Sequence, residues 1–187
     1  MKWYNNPVKL KKREDKHFLR IGLFGGSFDP PHNGHINAAK KAKADLSLDR
    51  LIIVPAFVSP FKTDKAGTPP ELRFKMCEAA FGEFADISDF EIKREEISYT
   101  IDTVYYIKEL YPDSEIFLIG GTDIKSGFDH WKDSDKLKKL TKLYIIPRDI
   151  IPVSSTEIRE KIRSGEETAA LVTPEVGEII KKQKLYY

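Results

Sequence analysis

The chain has 187 residues, a formal net charge of +2 and one cysteine, and 41% of its residues are hydrophobic while 32% are charged. This balance predicts one hydrophobic core and excludes a small secreted scaffold held together by disulfides. No apolar run approaches the roughly 20 residues that span a bilayer, and so small a net charge gives little reason to expect a nucleic-acid partner. Because the N-terminus also lacks a secretory pattern, we expect a soluble, cytoplasmic protein that binds neither membranes nor nucleic acid.

The first residues form a basic segment with almost no apolar periodicity. The segment from Lys2 to Arg20 contains seven lysine and arginine residues but only two acidic residues, Glu14 and Asp15. Such charge runs are typical of solvated appendages, although nucleic-acid binding by this segment is an alternative. We predict an N-terminal extension over residues 1–18, followed by a single domain over residues 19–187.

Short apolar runs alternate with segments of helical spacing along the rest of the chain. The apolar runs predict buried strands at 19–24, 51–54, 115–119 and 143–146. Alternation of apolar and charged residues predicts an exposed edge strand at 90–97. Helical spacing and end signals predict helices at 33–46, 69–84, 99–111, 134–142, 155–164 and 174–183. This order predicts an α/β fold, with a parallel sheet covered by helices on both faces and a helical C-terminal segment.

The turn after the first predicted strand is rich in glycine, and we call it the first anchor: Gly25-Gly26-Ser27-Phe28-Asp29-Pro30-Pro31-His32-Asn33-Gly34-His35. At such a turn the backbone can approach a ligand, and amides at the following helix start can bind anions. The turn has neither the GxGxxG spacing of hydride-transfer enzymes nor the ending of a P-loop. His32 and His35 are three residues apart, so both can face one point. Phosphate contact is the favoured interpretation, and half a metal site or a simple helix cap are the alternatives.

The first anchor resembles the G-x-F-D-P-x-H-x-G-H signature of the nucleotidyltransferase superfamily. Residues 153–159, which we call the second anchor, resemble the superfamily's S-S-T-x-I-R element, although alone they also fit an ordinary capped helix. The resemblance implies adenylyl or cytidylyl transfer on a Rossmann-like, doubly wound fold, with His32, His35 and Arg159 as catalytic residues. It also implies a set of ATP-binding residues: Gly25, Gly26, Ser27, Phe28, Gly34, Gly120, Asp123, Pro147, Arg148, Ser154, Ser155 and Thr156.

The segment between the anchors narrows the resemblance. Residues 93–103 resemble the E-R-x-x-x-S-Y-T-x-D-T stretch of bacterial nicotinate-nucleotide adenylyltransferases, and further matches follow at 118–123, 131 and 146–148. The resemblance implies that ATP and nicotinate mononucleotide react to give deamido-NAD and pyrophosphate, in NAD biosynthesis. Trp131 offers a flat face for a pyridine ring, although it also fits a half-buried structural tryptophan. The implied acceptor-binding residues are Lys62, Tyr99, Thr100 and Trp131.

Several points stay open at this stage. We expect Mg²⁺ to accompany ATP on its phosphate oxygens, so a dedicated cage of protein carboxylates need not appear in the sequence. Phe61 stands where the family carries a histidine, and only residues 149–153 separate Arg148 from the serines of the second anchor, where relatives carry a longer insertion. Nicotinamide mononucleotide or another phosphorylated acceptor is an alternative substrate, and a non-catalytic nucleotide sensor is an alternative function. The sequence leaves open whether the chain forms a homo-oligomer.

Overall fold

The computed structural model of the chain describes residues 18–60, 67–146 and 153–187. The predicted N-terminal extension therefore lies outside the described residues, except for Phe18. The strands are β1 (Arg20–Gly26), β2 (Arg50–Pro55), β3 (Asp86–Ile87), β4 (Glu115–Gly120) and β5 (Thr141–Ile145). The helices are α1 (Asn33–Asp45), α2 (Pro70–Phe81), α3 (Phe90–Arg94), α4 (Thr100–Leu110), α5 (Thr122–Gly127), α6 (Ser134–Leu140), α7 (Ser155–Arg163) and α8 (Pro174–Lys182), with a 3₁₀ helix at Phe128–His130.

The five strands form one parallel sheet in the order β3-β2-β1-β4-β5. This is the order of a doubly wound Rossmann sheet, in which the chain reverses its direction of winding beside β1. The central strands β1, β2 and β4 are apolar along most of their length, as expected for strands buried on both faces. The predicted Rossmann-like fold is confirmed.

Helices cover both faces of the sheet. Successive side chains of β1 point to opposite faces, so that Leu23 belongs to one hydrophobic cluster and Phe24 to the other. The cluster around Phe24 includes residues of α1, α2, α7 and α8, among them Ile158, which is fully buried. The cluster around Leu23 includes residues of α4 and α6, among them Val104. Each fully buried aliphatic side chain of this kind contributes about 2 kcal/mol.

The prediction of an exposed edge strand at 90–97 is wrong. The segment begins with the short helix α3, which ends at Glu95 in the left-handed region (φ 55°). Phe90 stacks on the ring of Tyr106 in α4, with the ring centroids 4.2 Å apart, and Glu91 is buried. Contacts with α4 therefore bury part of α3. The local alternation of apolar and charged residues gives no information on these tertiary contacts.

The remaining differences from the predicted elements are small. Strand β5 begins at Thr141, two residues before the predicted start, and the predicted helix before it is shorter by the same amount. The two-residue strand β3 and the short helix α5 were not predicted. In the described part of the chain, none of the helices has both the length and the apolar character needed to cross a membrane.

Candidate active site

A cleft of about 520 Å³ opens at the carboxyl ends of β1, β2 and β4. This is the edge at which open parallel sheets bind ligands, beside the point where the winding reverses. The residues that line the cleft include Gly25, Gly26 and Ser27 of the first anchor, together with Tyr99 and Trp131. The cleft therefore joins the glycine turn to the predicted acceptor pocket.

The first anchor turns sharply after β1. A Cβ added to Gly26 would lie 3.1 Å from the ring of Phe28, so the ring would have to shift slightly to admit a side chain there. Phe28 itself has a φ of 47°, in the left-handed region, and its side chain is buried edge-on against the rings of Phe24 and Phe81. Burial of the aromatic ring thus holds a backbone conformation that a phenylalanine rarely adopts.

The two histidines of the first anchor lie together at the start of α1. His32 is the N-cap residue, and its Nδ1 accepts a hydrogen bond from the backbone amide of His35 at 3.3 Å. The two imidazole rings stack with their centroids 3.6 Å apart. Burial lowers the pKa of His32 from 6.5 to about 4, so its ring is neutral near pH 7. Because Nδ1 accepts, the proton of the neutral ring lies on Nε2, which is a donor.

The cap and the functional interpretation of these histidines are therefore compatible. The cap uses one nitrogen of His32, whereas a phosphate would use the other. Gly34 is buried in the first turn of α1, next to the paired rings. The start of α1 thus combines two imidazoles with the positive end of a helix dipole, which is a suitable arrangement for binding an anion.

The second anchor packs directly onto the first. Ser154 caps α7, since its side chain accepts from the amide of Glu157 at 3.1 Å. Ser155 Oγ donates to the carbonyl of Pro30 at 2.9 Å. Arg159 donates from Nη1 to the carbonyl of Asp29 at 2.7 Å and from Nη2 to Thr156 Oγ1 at 3.1 Å. These contacts hold the N-termini of α1 and α7 close to each other.

Arg73 of α2 supports the first anchor through a hydrogen bond to its backbone. This role was not predicted from the sequence. The buried guanidinium of Arg73 donates to three backbone carbonyls, those of Ser27 at 2.8 Å, Thr68 at 3.0 Å and Phe57 at 2.9 Å. Buried arginines are rare unless they are paired. An arginine on the core-facing side of the predicted helix could therefore have indicated a structural role for Arg73. Its fork joins the loop after β1 to both ends of the connection between β2 and α2.

Tyr99, Thr100 and Trp131, which were predicted to bind the acceptor, all line the cleft. Thr100 begins α4, so the backbone amides at that helix start face the pocket region. Trp131 lies beside Phe128 in a tilted arrangement, with the ring centroids 5.3 Å apart. The pocket thus offers an aromatic face and a helix N-terminus, which suit a flat ring that carries an acidic group.

A buried carboxyl group in this pocket was also missed. Glu91 accepts a hydrogen bond from Thr103 Oγ1 at 2.5 Å, and burial raises its pKa, against the effect of hydrogen bonds from Thr103 and Ser98. Ser98 Oγ in turn accepts from the amide of Phe57 at 2.9 Å. Glu91 therefore holds the segment that precedes α4 in place, and the incorrect strand prediction at 90–97 concealed this role.

The remaining predicted site residues lie after β2 and at or beyond the ends of β4 and β5 in the sequence. Lys62, Pro147 and Arg148 lie outside the described residues. Asp123 lies in the first turn of α5, immediately beyond β4. A Cβ at Gly120 would lie 1.8 Å from the terminal methyl carbon of Ile124, so the side chain of Ile124 would have to move to admit any larger residue there. Within the described ranges, no three His, Cys, Asp or Glu side chains are grouped so as to hold a metal ion.

Comparison with known proteins gives consistent matches over most of the chain. The family model described as cytidylyltransferase-like matches residues 23–164. A probable nicotinate-nucleotide adenylyltransferase of Shouchella clausii is 35% identical over 185 residues, which cover 89% of this chain and 96% of the relative. One from Aliarcobacter butzleri is 40% identical over 132 residues, which cover 70% of this chain and 72% of the relative.

Solved structures share the fold. Nicotinic acid mononucleotide adenylyltransferase of Plasmodium falciparum complexed with NaAD superposes with a TM-score of 0.75 at 21% identity, covering 91% of this chain and 98% of that one. The same enzyme complexed with APC gives a TM-score of 0.68 at 19% identity, covering 89% and 96%. Because the residues matched in sequence include both anchors and the pocket segment between them, the chain belongs to the nicotinate-nucleotide adenylyltransferase family of nucleotidyltransferase enzymes.

Proposed function

We propose that this protein transfers AMP from ATP to the 5′-phosphate of nicotinate mononucleotide, giving deamido-NAD and pyrophosphate. The observation that carries the proposal is the direct contact between the two anchors, which brings the start of α1 and the start of α7 together beside the glycine turn that lines the aromatic cleft. The joined anchors suit phosphates and form the proposed phosphate end of the cleft, whereas its aromatic lining suits a flat, acidic ring. These are the two parts of the reaction that the protein has to bring together.

The proposed phosphate end holds ATP. His32 donates from Nε2, and His35 contacts the α-phosphate, where charge develops during transfer. Ser155, Thr156 and Arg159 contact the β- and γ-phosphates, for which two N–H groups of one guanidinium are well suited. Further ATP contacts are proposed for the residues that the resemblance implied: Gly25, Gly26, Ser27, Phe28, Gly34, Gly120, Asp123, Pro147, Arg148 and Ser154.

The chemical step needs no nucleophile from the protein. An oxygen of the mononucleotide phosphate attacks the α-phosphorus, a new P–O bond forms, and the bond to the bridging α–β oxygen breaks with its electron pair leaving on pyrophosphate. The attacking oxygen is already an anion, so no proton has to be removed. The protein contributes by orienting the reactants and by stabilising the charge on the phosphates.

The proposed acceptor end holds nicotinate mononucleotide. The pyridine ring stacks on Trp131, and amides at the start of α4, near Tyr99 and Thr100, bind the ring carboxylate. Lys132 supports this choice of an acidic ring, since its ammonium lies 4.3 Å from the centroid of the Tyr99 ring at the same pocket. Lys62 is proposed to contact the phosphate of the mononucleotide.

The setting of the reaction is part of the same proposal. A divalent cation generally accompanies a triphosphate in nucleotidyl transfer, and we propose that here it is Mg²⁺, brought by ATP and held on phosphate oxygens with water ligands. We further propose that residues 19–187 act as one domain, since both hydrophobic clusters pack against the same sheet, and that the enzyme works in the cytoplasm.

The test is pyrophosphate release by the purified protein from ATP and Mg²⁺. Nicotinate mononucleotide, nicotinamide mononucleotide and phosphopantetheine are compared at equal concentration. A clear preference for nicotinate mononucleotide supports the proposal, and preference for another acceptor keeps the chemistry but changes the product. If a folded, ATP-binding protein releases no pyrophosphate with any acceptor, the proposed enzymatic function is wrong and a nucleotide sensor takes its place.

A further inference from the structure

The turn of the first anchor is held from outside the cleft by a side chain close to the C-terminus. Tyr186 donates from its hydroxyl to Asp29 Oδ1 at 2.6 Å, and the same hydroxyl accepts from Thr68 Oγ1 at 3.1 Å. The backbone amide of Thr68 approaches the other carboxylate oxygen of Asp29 at 3.4 Å. Burial raises the pKa of Tyr186, with a further contribution from the charge of Asp29, so the phenol keeps its proton and remains a donor.

Asp29 connects this contact to the phosphate end of the cleft. Its carboxylate is held by Tyr186 on one side, while its backbone carbonyl accepts from Arg159 on the other. The preceding residue, Phe28, has a positive φ, so the turn has a backbone conformation that surrounding contacts must maintain. With both ends of Asp29 fixed, its carbonyl has one orientation, and this orientation sets the position of the Arg159 guanidinium.

We propose that Tyr186 is a positioning residue for adenylyl transfer, which orients Arg159 by holding Asp29. The inference rests on the proposed contact between Arg159 and the phosphates that leave. It does not depend on the identity of the acceptor, because Tyr186 and Asp29 act at the phosphate end of the cleft. Tyr186 therefore affects the use of ATP and has no effect on binding of the mononucleotide.

The test compares Tyr186→Phe with Tyr187→Phe. Both variants remove one phenol hydroxyl, but Tyr187 is 71% exposed and serves as the matched control. We expect Tyr186→Phe to lower kcat/KM for ATP by roughly tenfold or more, which corresponds to the loss of a hydrogen bond to a charged group. The KM for nicotinate mononucleotide should not change, and Tyr187→Phe should behave as the wild type. Thermal unfolding of both variants is measured beside the kinetics.

A second comparison separates positioning from a general loss of structure. If Tyr186 acts through Arg159, then Tyr186→Phe should have little further effect in an Arg159→Lys background, because coupled residues are not additive. Equal effects in both backgrounds would overturn the proposal. So would a Tyr186→Phe variant whose only change is a lower Tm.

Failure of the positioning role of Tyr186 can be distinguished from failure of the proposed function. If the wild type prefers another phosphorylated acceptor, the same variants are tested with that acceptor. If the wild type shows no turnover at all, the proposed function fails, and ATP affinity measured by calorimetry replaces kcat/KM. In that case weaker ATP binding by Tyr186→Phe, but not by Tyr187→Phe, supports the positioning role, and equal binding by both overturns it.

Discussion

His32 makes the stability of this protein depend on pH in a calculable way. Its pKa in the folded protein is lowered by burial to about 4, whereas the ordinary value is 6.5. Between these two values the folded state binds fewer protons than the unfolded state, so stability falls as the pH falls. The contribution of His32 to the free energy of unfolding is fully present above about pH 6.5 and is lost progressively toward pH 4. This direction follows because only the neutral ring can accept the amide of His35 at Nδ1.

The magnitude follows from the difference between the two pKa values. Each pKa unit corresponds to about 1.4 kcal/mol, and integration from about pH 7 to about pH 5 gives a loss of about 2 kcal/mol from His32 alone. Glu91, whose pKa is raised by burial, contributes to the pH dependence with the opposite sign. A variant that lacks only the titration of His32 is therefore needed as the reference.

His32→Asn provides this reference. Asparagine is a good N-cap residue and can accept the same amide, but it does not titrate. Urea unfolding of wild type and variant at several pH values gives their free energies of unfolding. Any cost of the changed packing is the same at each pH and cancels. We expect the wild type to lose about 2 kcal/mol more than the variant between about pH 7 and about pH 5. Parallel pH dependence of the two proteins would refute the buried, neutral imidazole.

Three further predictions concern the kinetic constants of site variants. His35→Ala should lower kcat by roughly 100- to 1,000-fold while the protein stays folded, because one preorganised contact to developing charge is lost; near-normal turnover would remove His35 from the mechanism. Arg159→Lys should lower kcat/KM for ATP by roughly tenfold, since the two-pronged contact is lost, and unchanged ATP kinetics would contradict the assignment. Glu91→Gln should raise the KM for the mononucleotide by roughly threefold to tenfold, because an NH2 donor replaces one of the two carboxylate oxygens that accept from Thr103 and Ser98; the exposed Glu96→Gln is the control, and equal effects would count against a role for Glu91.

The parts of the fold that were predicted correctly are those whose signal is local. Strand β2 reads as one apolar run, because a strand buried on both faces shows no alternation. The start of α7 carries its own cap, since Ser154 and Glu157 interact within one turn. Family resemblance then located both anchors, and the structure brings them into contact, with Ser155 bonded to Pro30.

The parts that were missed depend on partners far along the chain. Phe90 and Glu91 alternate like a strand but pack against α4, and only Ile97, which pairs with Val58 in an isolated bridge, shows strand-like pairing in the described part of that segment. Arg73 looks like an ordinary helix surface residue until the three carbonyls that it joins are known. Local propensity contains no information on such tertiary contacts, and they override it.

The contacts that hold the first anchor also determine when the enzyme can become active during its synthesis. Asp29 and Pro30 are joined to residues 130 and 125 positions later, and the hydroxyl of Tyr186 reaches Asp29 across 157 positions. A ribosome-bound chain that has completed α1 and β2 therefore contains the glycine turn and both histidines but lacks the groups that hold them in place. Because a domain generally folds as a unit, these contacts form only after residues 155–186 have been synthesised, and a shorter chain lacks the groups that organise the proposed ATP site.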